Sequence, residues 1–245
     1  MNIQLNCDMG ESFGIYEMGQ DALIMPFIDM ANLACGFHSG DALTMNESVS
    51  MAKKEGVTIG AHPAYQDLVG FGRRSMSCTS DEVKSIVLYQ IGALSAFCAV
   101  HNTGISYVKP HGALYNDMMK DEKIFRAILE AISSFDINIK LMILSTPNNE
   151  LFENIALKYN IKLIYEVFAD RNYNDDGSLV ARSNENAVIH DVKLVKERIS
   201  TLQENGYLTS INDKKLYIQA DTICVHGDNE QALEFIKLLK NLLKK

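Results

Sequence analysis

Tryptophan is absent from this chain of 245 residues, proline occurs only four times, and the five cysteines include no CxxC pair. An odd number of cysteines without paired spacing argues against a disulfide framework and against a structural zinc site. The cysteine content therefore predicts a protein of the reducing cytoplasm. A chain of this length can bury enough apolar surface to fold without such cross-links.

Positive charge is scarce as well: 23 lysines and arginines face 31 aspartates and glutamates, giving a net charge of −8. Proteins that bind nucleic acid carry a basic face, so the charge balance argues against a nucleic-acid partner. No uncharged apolar run of about 18 residues occurs, and no membrane span is predicted. The first residues reach Asp8 and Glu11 at once, which does not resemble a signal peptide.

Three motifs of common enzyme classes are also missing. The chain has no GxxxxGKS or GxxxxGKT phosphate loop, no GxGxxG dinucleotide fingerprint and no GxSxG nucleophile elbow. Dinucleotide binding and serine-hydrolase chemistry therefore have no support. If ATP takes part in the reaction, this chain lacks the usual motif for binding it alone.

Short apolar runs alternate with longer helical patterns, and no repeat, linker or change of composition divides the chain. Strands are predicted at residues 3–7, 29–35, 58–61, 107–109, 140–144, 162–168, 216–219 and 222–225. Helices are predicted at residues 44–55, 81–101, 121–135, 149–159, 191–205 and 229–243. Because parallel strands need a crossover connection, this alternation predicts a parallel α/β fold in one domain, residues 1–245. A closed barrel and an open doubly wound sheet both fit the periodicity.

Several helix ends have local signals. Thr79 and Glu82 have the spacing of a capping box, in which each side chain satisfies a free backbone N–H at the helix start. Gly56, Gly104 and Gly206 occupy positions where a left-handed residue is expected to end a helix.

Polar side chains follow nearly every predicted strand. Parallel α/β folds form their active sites at the carboxyl ends of strands, where the loops converge. We therefore predict one shared site whose acids, bases or nucleophile-activating groups come from these positions. The candidate catalytic residues are Asp8, Glu11, His38, His62, His111 and His226.

Three of these residues form a candidate metal site. Imidazole and carboxylate groups suit zinc or a similar divalent ion, so Asp8, His38 and His62 are the predicted ligands. No HxxH or HxxxH spacing supports this set, because each residue comes from a different strand. In the alternative interpretation the same groups bind substrate directly and act as general acid and base.

Candidate anion-binding residues lie on two further segments and on the sixth strand. A lysine that ends a strand points inward, where an anion must offset its lost hydration. For Lys109 this anion is either a substrate carboxylate or phosphate, or an internal partner such as Glu166 or Asp8. Residues 70–74 form a glycine-rich turn that either cradles a phosphate or lies plainly on the surface. The candidate substrate- and phosphate-binding residues are Lys109, Arg73, Glu166 and Arg171.

The run Asn-Cys-Asp-Met-Gly-Glu-Ser-Phe-Gly at residues 6–14 opens a series of distinctive blocks. The series continues in order at residues 31–41, 60–63, 67–74, 108–115, 166–171 and 220–228. Together these blocks resemble the LamB/YcsF family across nearly the whole chain. The sequence departs from the family pattern at Ala64, Gln66 and Ala181, changes that affect loops without removing a charged group.

The resemblance implies a fold of the glycoside hydrolase/deacetylase type, a seven-stranded (β/α) barrel with parallel strands and outer helices. Members of the family are A subunits of ATP-dependent 5-oxoprolinase. The implied reaction is the opening of the lactam ring of 5-oxo-L-proline to L-glutamate, with ATP as co-substrate and with B and C subunits as partners. A divalent metal and a homo-oligomer are compatible with this assignment. The alternative function is that of a stand-alone metal-dependent deacetylase or amidohydrolase acting on an N-acyl substrate.

Overall fold

The structure is a computed structural model that describes residues 3–225 and 232–243. Seven strands in this part of the chain are β1 (Gln4–Met9), β2 (Met30–Ala34), β3 (Thr58–His62), β4 (Tyr107–Val108), β5 (Lys140–Leu144), β6 (Leu163–Phe168) and, near the end, Thr222–Val225. All seven are parallel and close a barrel in chain order, with the last strand between β6 and β1. The closed barrel confirms the predicted fold class, and the open sheet is wrong. The prediction of a single catalytic domain over residues 1–245 stays a prediction.

Helices surround the barrel. In chain order they are α1 (Asp21–Ile24), α2 (Ala42–Glu55), α3 (Ser80–Val100), α4 (Gly112–Met118), α5 (Glu122–Phe135), α6 (Asn149–Ala156), α7 (Val192–Asn205) and α8 (Ala232–Leu243). The capping box at the start of α3 is present, because the Thr79 hydroxyl accepts from the Glu82 N–H and the Glu82 carboxylate accepts from the Thr79 N–H.

Gly56 and Gly206 end α2 and α7 in the left-handed conformation, with φ of +69° and +71°. The same prediction for Gly104 is wrong. Asn102 is the left-handed residue after α3, with φ of +52°. Asparagine tolerates this conformation because its short polar side chain can hydrogen-bond locally.

The strand predicted at residues 216–219 does not join the barrel. Instead, β7 (Tyr207–Thr209) and β8 (Lys215–Tyr217) form a separate antiparallel pair, and β9 (Thr222–Val225) then completes the barrel beside β6. Each of the two short strands buries only its middle residue, Leu208 or Leu216. That exposure fits a two-stranded hairpin and not a barrel strand buried on both faces. Helix α4 is not predicted from the sequence either, because its seven residues are too few to establish a helical period.

Helix α3 is long and apolar enough to cross a membrane by length and composition alone. Core helices of soluble proteins meet the same criterion, so it is weak evidence. One side of α3 packs against the barrel through Val83, Val87, Ile91 and Leu94, which are fully buried. The helix is therefore part of the outer layer of the barrel fold.

The inside of the barrel holds a layer of polar side chains next to a small apolar cluster that includes Met30, Met142 and Ile164. Tyr107 reaches into it, because Gly60 on the neighbouring strand has no side chain: a Cβ there would lie 2.2 Å from the ring. The Tyr107 hydroxyl donates to Asn32 Oδ1 at 2.6 Å, and Asn32 Nδ2 donates to Asn6 Oδ1 at 2.8 Å. Asn6 Nδ2 donates in turn to Thr222 Oγ1 at 2.9 Å. These bonds satisfy the buried polar groups and give the site above them a rigid base.

Candidate active site

The barrel brings together side chains from strands β1, β3, β4 and β6. Asp8 lies near the end of β1, His62 ends β3, and Lys109 directly follows β4. Lys109 Nζ lies 2.8 Å from Asp8 Oδ1 and 2.9 Å from Glu166 Oε1, and His62 Nε2 lies 3.4 Å from Asp8 Oδ2. Residues far apart in the sequence thus meet at one end of the barrel.

Lys109 is buried and surrounded by acceptors. In addition to the two carboxylates, its ammonium group contacts Cys224 Sγ at 3.2 Å and Asn6 Oδ1 at 3.3 Å. Burial alone would lower the pKa of Lys109, but the negative charges around it, Asp8 foremost, raise this pKa well above its ordinary value. The internal ion pair considered from the sequence is therefore present, and the lysine stays charged.

A second cluster lies next to this ion-pair group. Ligand atoms of Glu11, His38, His62 and His111 all lie within 4.8 Å of one another, and all four residues are buried. His38 Nε2 is 3.2 Å from Glu11 Oε1, and the His38 and His111 rings stack at 3.8 Å between centroids. Of the three predicted metal ligands, His38 and His62 belong to this cluster, whereas Asp8 lies next to it. Glu11 and His111 are the other two members.

Backbone carbonyls assign the tautomers of two of these histidines. His62 Nδ1 lies 2.6 Å from the Lys109 carbonyl oxygen, and His111 Nε2 lies 2.9 Å from that of Phe71. Because a carbonyl oxygen only accepts, both of these nitrogens carry the hydrogen. The opposite nitrogens, His62 Nε2 and His111 Nδ1, then face each other at 3.0 Å with a lone pair each when the rings are neutral.

Further acceptors point toward the same pair of nitrogens. Asp8 Oδ2 lies 3.4 Å from His62 Nε2, and Glu11 Oε1 lies 3.8 Å from His111 Nδ1. Burial, together with the neighbouring imidazoles, lowers the pKa of His38 and of His111 well below the usual value, which favours neutral rings. Such a convergence of acceptors is suited to a shared proton or a cation between them.

The cluster opens into a cavity of about 730 Å³. Small-molecule sites commonly enclose about 300–1,000 Å³. Asp8, Glu11, His62 and His111 line one part of it, and apolar walls come from Phe71, Tyr115 and Phe168. The cavity can therefore hold a small substrate in contact with the acidic and imidazole groups.

The predicted anion-binding residues take different positions. Arg73 and Arg171 line the cavity, and the Arg73 guanidinium lies 4.9 Å from the centre of the Phe71 ring. Arg171 donates to the carbonyl oxygens of Val180 and Ala187, and burial lowers its pKa to about 10. Glu166, in contrast, is completely buried behind Lys109.

One predicted residue lies beyond the described part of the chain, and one residue that supports the site was not predicted. His226 lies outside the described residues. Asp21 is not predicted from the sequence; its carboxylate accepts from the Gly10 N–H at 2.7 Å and so fixes the turn that carries Glu11. Burial raises the pKa of Asp21 to about 6. A carboxylate that supports a turn has no motif of its own, so the sequence offers no signal for it.

The glycine-rich turn at residues 70–74 packs against the histidines. Asp67 organises it by accepting from the Gly70 N–H and by pairing with Arg74. Gly72 has φ of +62°, and a Cβ there would lie 2.7 Å from His38 Cβ and 2.9 Å from His111 Cδ2. The turn is thus part of the site wall, and it presents Arg73 to the cavity.

We expect Gly72→Ala to lower turnover by about 10–100-fold, because displacing reactive groups by about 1 Å can cost this much. The added methyl group must push aside His38 and His111 and also requires a strained left-handed alanine. Steady-state kinetics on the purified variant measures the effect. Gly92→Ala is the matched control, since its Cβ would meet open space on α3. Full activity of Gly72→Ala would contradict this account of the turn.

Comparison with known proteins places this geometry in a family. The model of the LamB/YcsF family matches residues 3–245. The chain is 50% identical over 243 residues to a 5-oxoprolinase A subunit of Vibrio vulnificus (strain YJ016), covering 99% of this chain and 98% of that protein. It is 47% identical over 239 residues to a 5-oxoprolinase A subunit of Pseudomonas fluorescens (strain Pf0-1), covering 98% and 96%.

A solved structure has the same architecture. The crystal structure of a lactam utilization protein from Thermus thermophilus aligns with a TM-score of 0.91 and 38% sequence identity. The alignment covers 100% of this chain and 96% of that one. The full-length family match, the relatives near 50% identity and the shared barrel agree with one another, and the chain belongs to the LamB/YcsF family.

Proposed function

We propose that this chain is the A subunit of an ATP-dependent 5-oxoprolinase, which opens the lactam ring of 5-oxo-L-proline to give L-glutamate. The observation that carries the proposal is the identity of about 50% with proteins of that name over almost the whole chain. The buried acidic and imidazole cluster at the end of the barrel supplies groups suited to amide hydrolysis.

The chemistry explains why ATP and other subunits belong to the proposal. A five-membered lactam resists hydrolysis through amide resonance, and its nitrogen is a poor leaving group. Phosphorylation of the carbonyl oxygen removes that resonance and makes the carbon open to attack. Because this chain has no phosphate-loop motif, we assign ATP-driven activation to partner B and C subunits. The designation of the relatives as A subunits supports a multi-subunit enzyme.

We assign roles according to position in the cavity. Arg73 and Arg171 line it and would neutralise the carboxylate of the substrate and a phosphoryl group. Asp8 or Glu11 would accept a proton from the attacking water. His111, when no cation occupies its Nδ1, would then deliver a proton to the leaving nitrogen; His226 is the alternative acid predicted from the sequence alone. Each acid–base role is typically worth about 10²–10⁴-fold in rate.

A divalent cation fits the Glu11, His38, His62 and His111 cluster. The fit follows from the facing lone pairs of His62 Nε2 and His111 Nδ1, with a carboxylate oxygen close by. Imidazole and carboxylate donors of this kind are the usual ligands of zinc. A bound cation would supply Lewis acidity toward a lactam carbonyl or a water molecule. Without a bound cation, a proton shared between His62 Nε2 and His111 Nδ1 would link the two rings.

The experiment is a reconstitution in which glutamate is measured with the chain, B and C subunits, ATP and 5-oxoproline, each omitted in turn. We expect glutamate only from the complete mixture. Full glutamate production without this chain would refute the proposal. Hydrolysis of an N-acyl substrate by the chain alone, without ATP, would instead support the stand-alone deacetylase or amidohydrolase.

A further inference from the structure

We propose that Glu166 and Tyr115 are positioning residues that act on the reaction through Lys109, by keeping its ammonium group directed at Asp8. This inference rests on the proposed function and deepens it. Although Lys109 lines the cavity as Arg73 and Arg171 do, the inference commits its ammonium group to internal contacts and leaves the substrate anion to the two arginines.

The first argument is the number of donors on Lys109. An ammonium group has three N–H bonds and no acceptor. Asp8 Oδ1, Cys224 Sγ and Asn6 Oδ1 lie at hydrogen-bonding distance from Nζ, and Glu166 Oε1 adds an ion pair at 2.9 Å. Three protein acceptors therefore match the three N–H bonds, and Glu166 adds its negative charge beside them. Binding a substrate carboxylate through Lys109 would require breaking one of these contacts inside the barrel.

The second argument is the position of Glu166. Its side chain is fully buried and lies between Lys109 and Tyr115, two residues that line the cavity, while Glu166 itself is not among the lining residues. The Oε1 contact is electrostatic, because its angle does not suit a hydrogen bond although the distance is short. A buried carboxylate costs much free energy unless it is paired, so Glu166 and Lys109 stabilise each other as charged groups.

The third argument is the bond that orients Glu166. The Tyr115 hydroxyl, on α4, donates to Glu166 Oε2 at 2.9 Å in a fully buried setting. This bond leaves the other oxygen, Oε1, directed at Lys109. A continuous chain then runs from Tyr115 through Glu166 and Lys109 to Asp8, whose second oxygen faces His62. Helix α4 is thereby connected to the reacting groups by direct contacts.

The test uses the reconstituted complex and Glu166→Gln, which keeps the shape of the side chain and removes its charge. We expect kcat to fall by about 10–100-fold, as for residues that orient metal ligands in other proteins, while KM for 5-oxoproline stays within about two-fold. Tyr115→Phe removes a single hydrogen bond and should lower kcat by a smaller factor, again with an unchanged KM. A rise in KM with unchanged kcat would show that this group binds substrate, and it would overturn the inference.

A double-mutant cycle separates positioning from general structural damage. Lys109→Met alone leaves the Glu166 charge buried without its partner, which is strongly destabilising. Adding Glu166→Gln to Lys109→Met should raise the melting temperature and should cause no further loss of kcat, because Glu166 no longer has a lysine to act on. Additive losses of kcat in the double variant would overturn the inference.

Two outcomes distinguish this inference from the proposed function. If the wild-type complex produces no glutamate from 5-oxoproline, the proposed function itself fails. Suppose instead that the wild-type complex is active, that the melting temperature of Glu166→Gln shows a folded protein, and that this variant turns over at the wild-type rate. In that case only the positioning role fails. Lys84→Met is a matched control for removing a lysine from an ion pair, because Lys84 pairs with Glu130 on the protein surface. This variant should leave kcat unchanged.

Discussion

Replacing Asp8 by asparagine should lower kcat of the reconstituted enzyme by about 10²–10⁴-fold, the range for loss of one acid–base group. Asparagine has the same shape, but it neither accepts a proton from water nor balances the charge of Lys109 at 2.8 Å. The fold should survive, because Glu166 still pairs with the lysine at 2.9 Å. Glutamate production measures the rate, and thermal unfolding reports on the fold.

Asp29 provides the matched control for this substitution. It also forms an ion pair with a lysine, Lys240, and it accepts from the Leu5 N–H, but it precedes β2 and so lies at the opposite end of the barrel. Asp29→Asn should cost some stability and leave kcat unchanged. A wild-type rate for Asp8→Asn would remove Asp8 from the mechanism, and equal losses for both variants would point to a general effect on the barrel.

The sequence predicts the location of the site better than its internal arrangement. Strand ends are local features, and in a parallel barrel they converge, so the positions of Asp8, His62 and Lys109 along the chain are enough to indicate a common site. Which of two nearby carboxylates faces the histidines depends on turn geometry. Here the Gly10 turn, fixed by Asp21, brings Glu11 into the cluster.

The parts that the sequence does not predict depend on contacts between distant residues. Whether Lys109 binds a substrate anion or an internal carboxylate is decided by the neighbours that β1 and β6 place around it. The tautomers of His62 and His111 are set by backbone carbonyls of other segments. The apolar run that begins at Leu216 resembles a barrel strand in the sequence, and only its antiparallel pairing with β7 shows that it lies outside the barrel.

Replacing His62 by glutamine should weaken the binding of zinc by more than about 100-fold. Mutating even a residue that only supports a metal ligand typically lowers metal affinity by about 10–100-fold. The variant removes the nitrogen that faces His111 Nδ1 at 3.0 Å, and with it one of four donors within 4.8 Å. We expect the wild-type chain to bind about one zinc ion per molecule, because these donors form one cluster. Equilibrium dialysis with zinc alone, followed by metal analysis, measures stoichiometry and affinity independently of catalysis.

His190 is the appropriate control for this experiment, because it is exposed and lies outside the cluster. His190→Gln should bind zinc as the wild-type chain does, whereas His62→Gln should lose both zinc and turnover. A wild-type chain that binds no zinc, cobalt or manganese would exclude the cation. The facing nitrogens of His62 and His111 would then share a proton, which NMR of the imidazole nitrogens would detect as a shared hydrogen. Zinc bound equally well by His62→Gln would place the ion elsewhere on the protein.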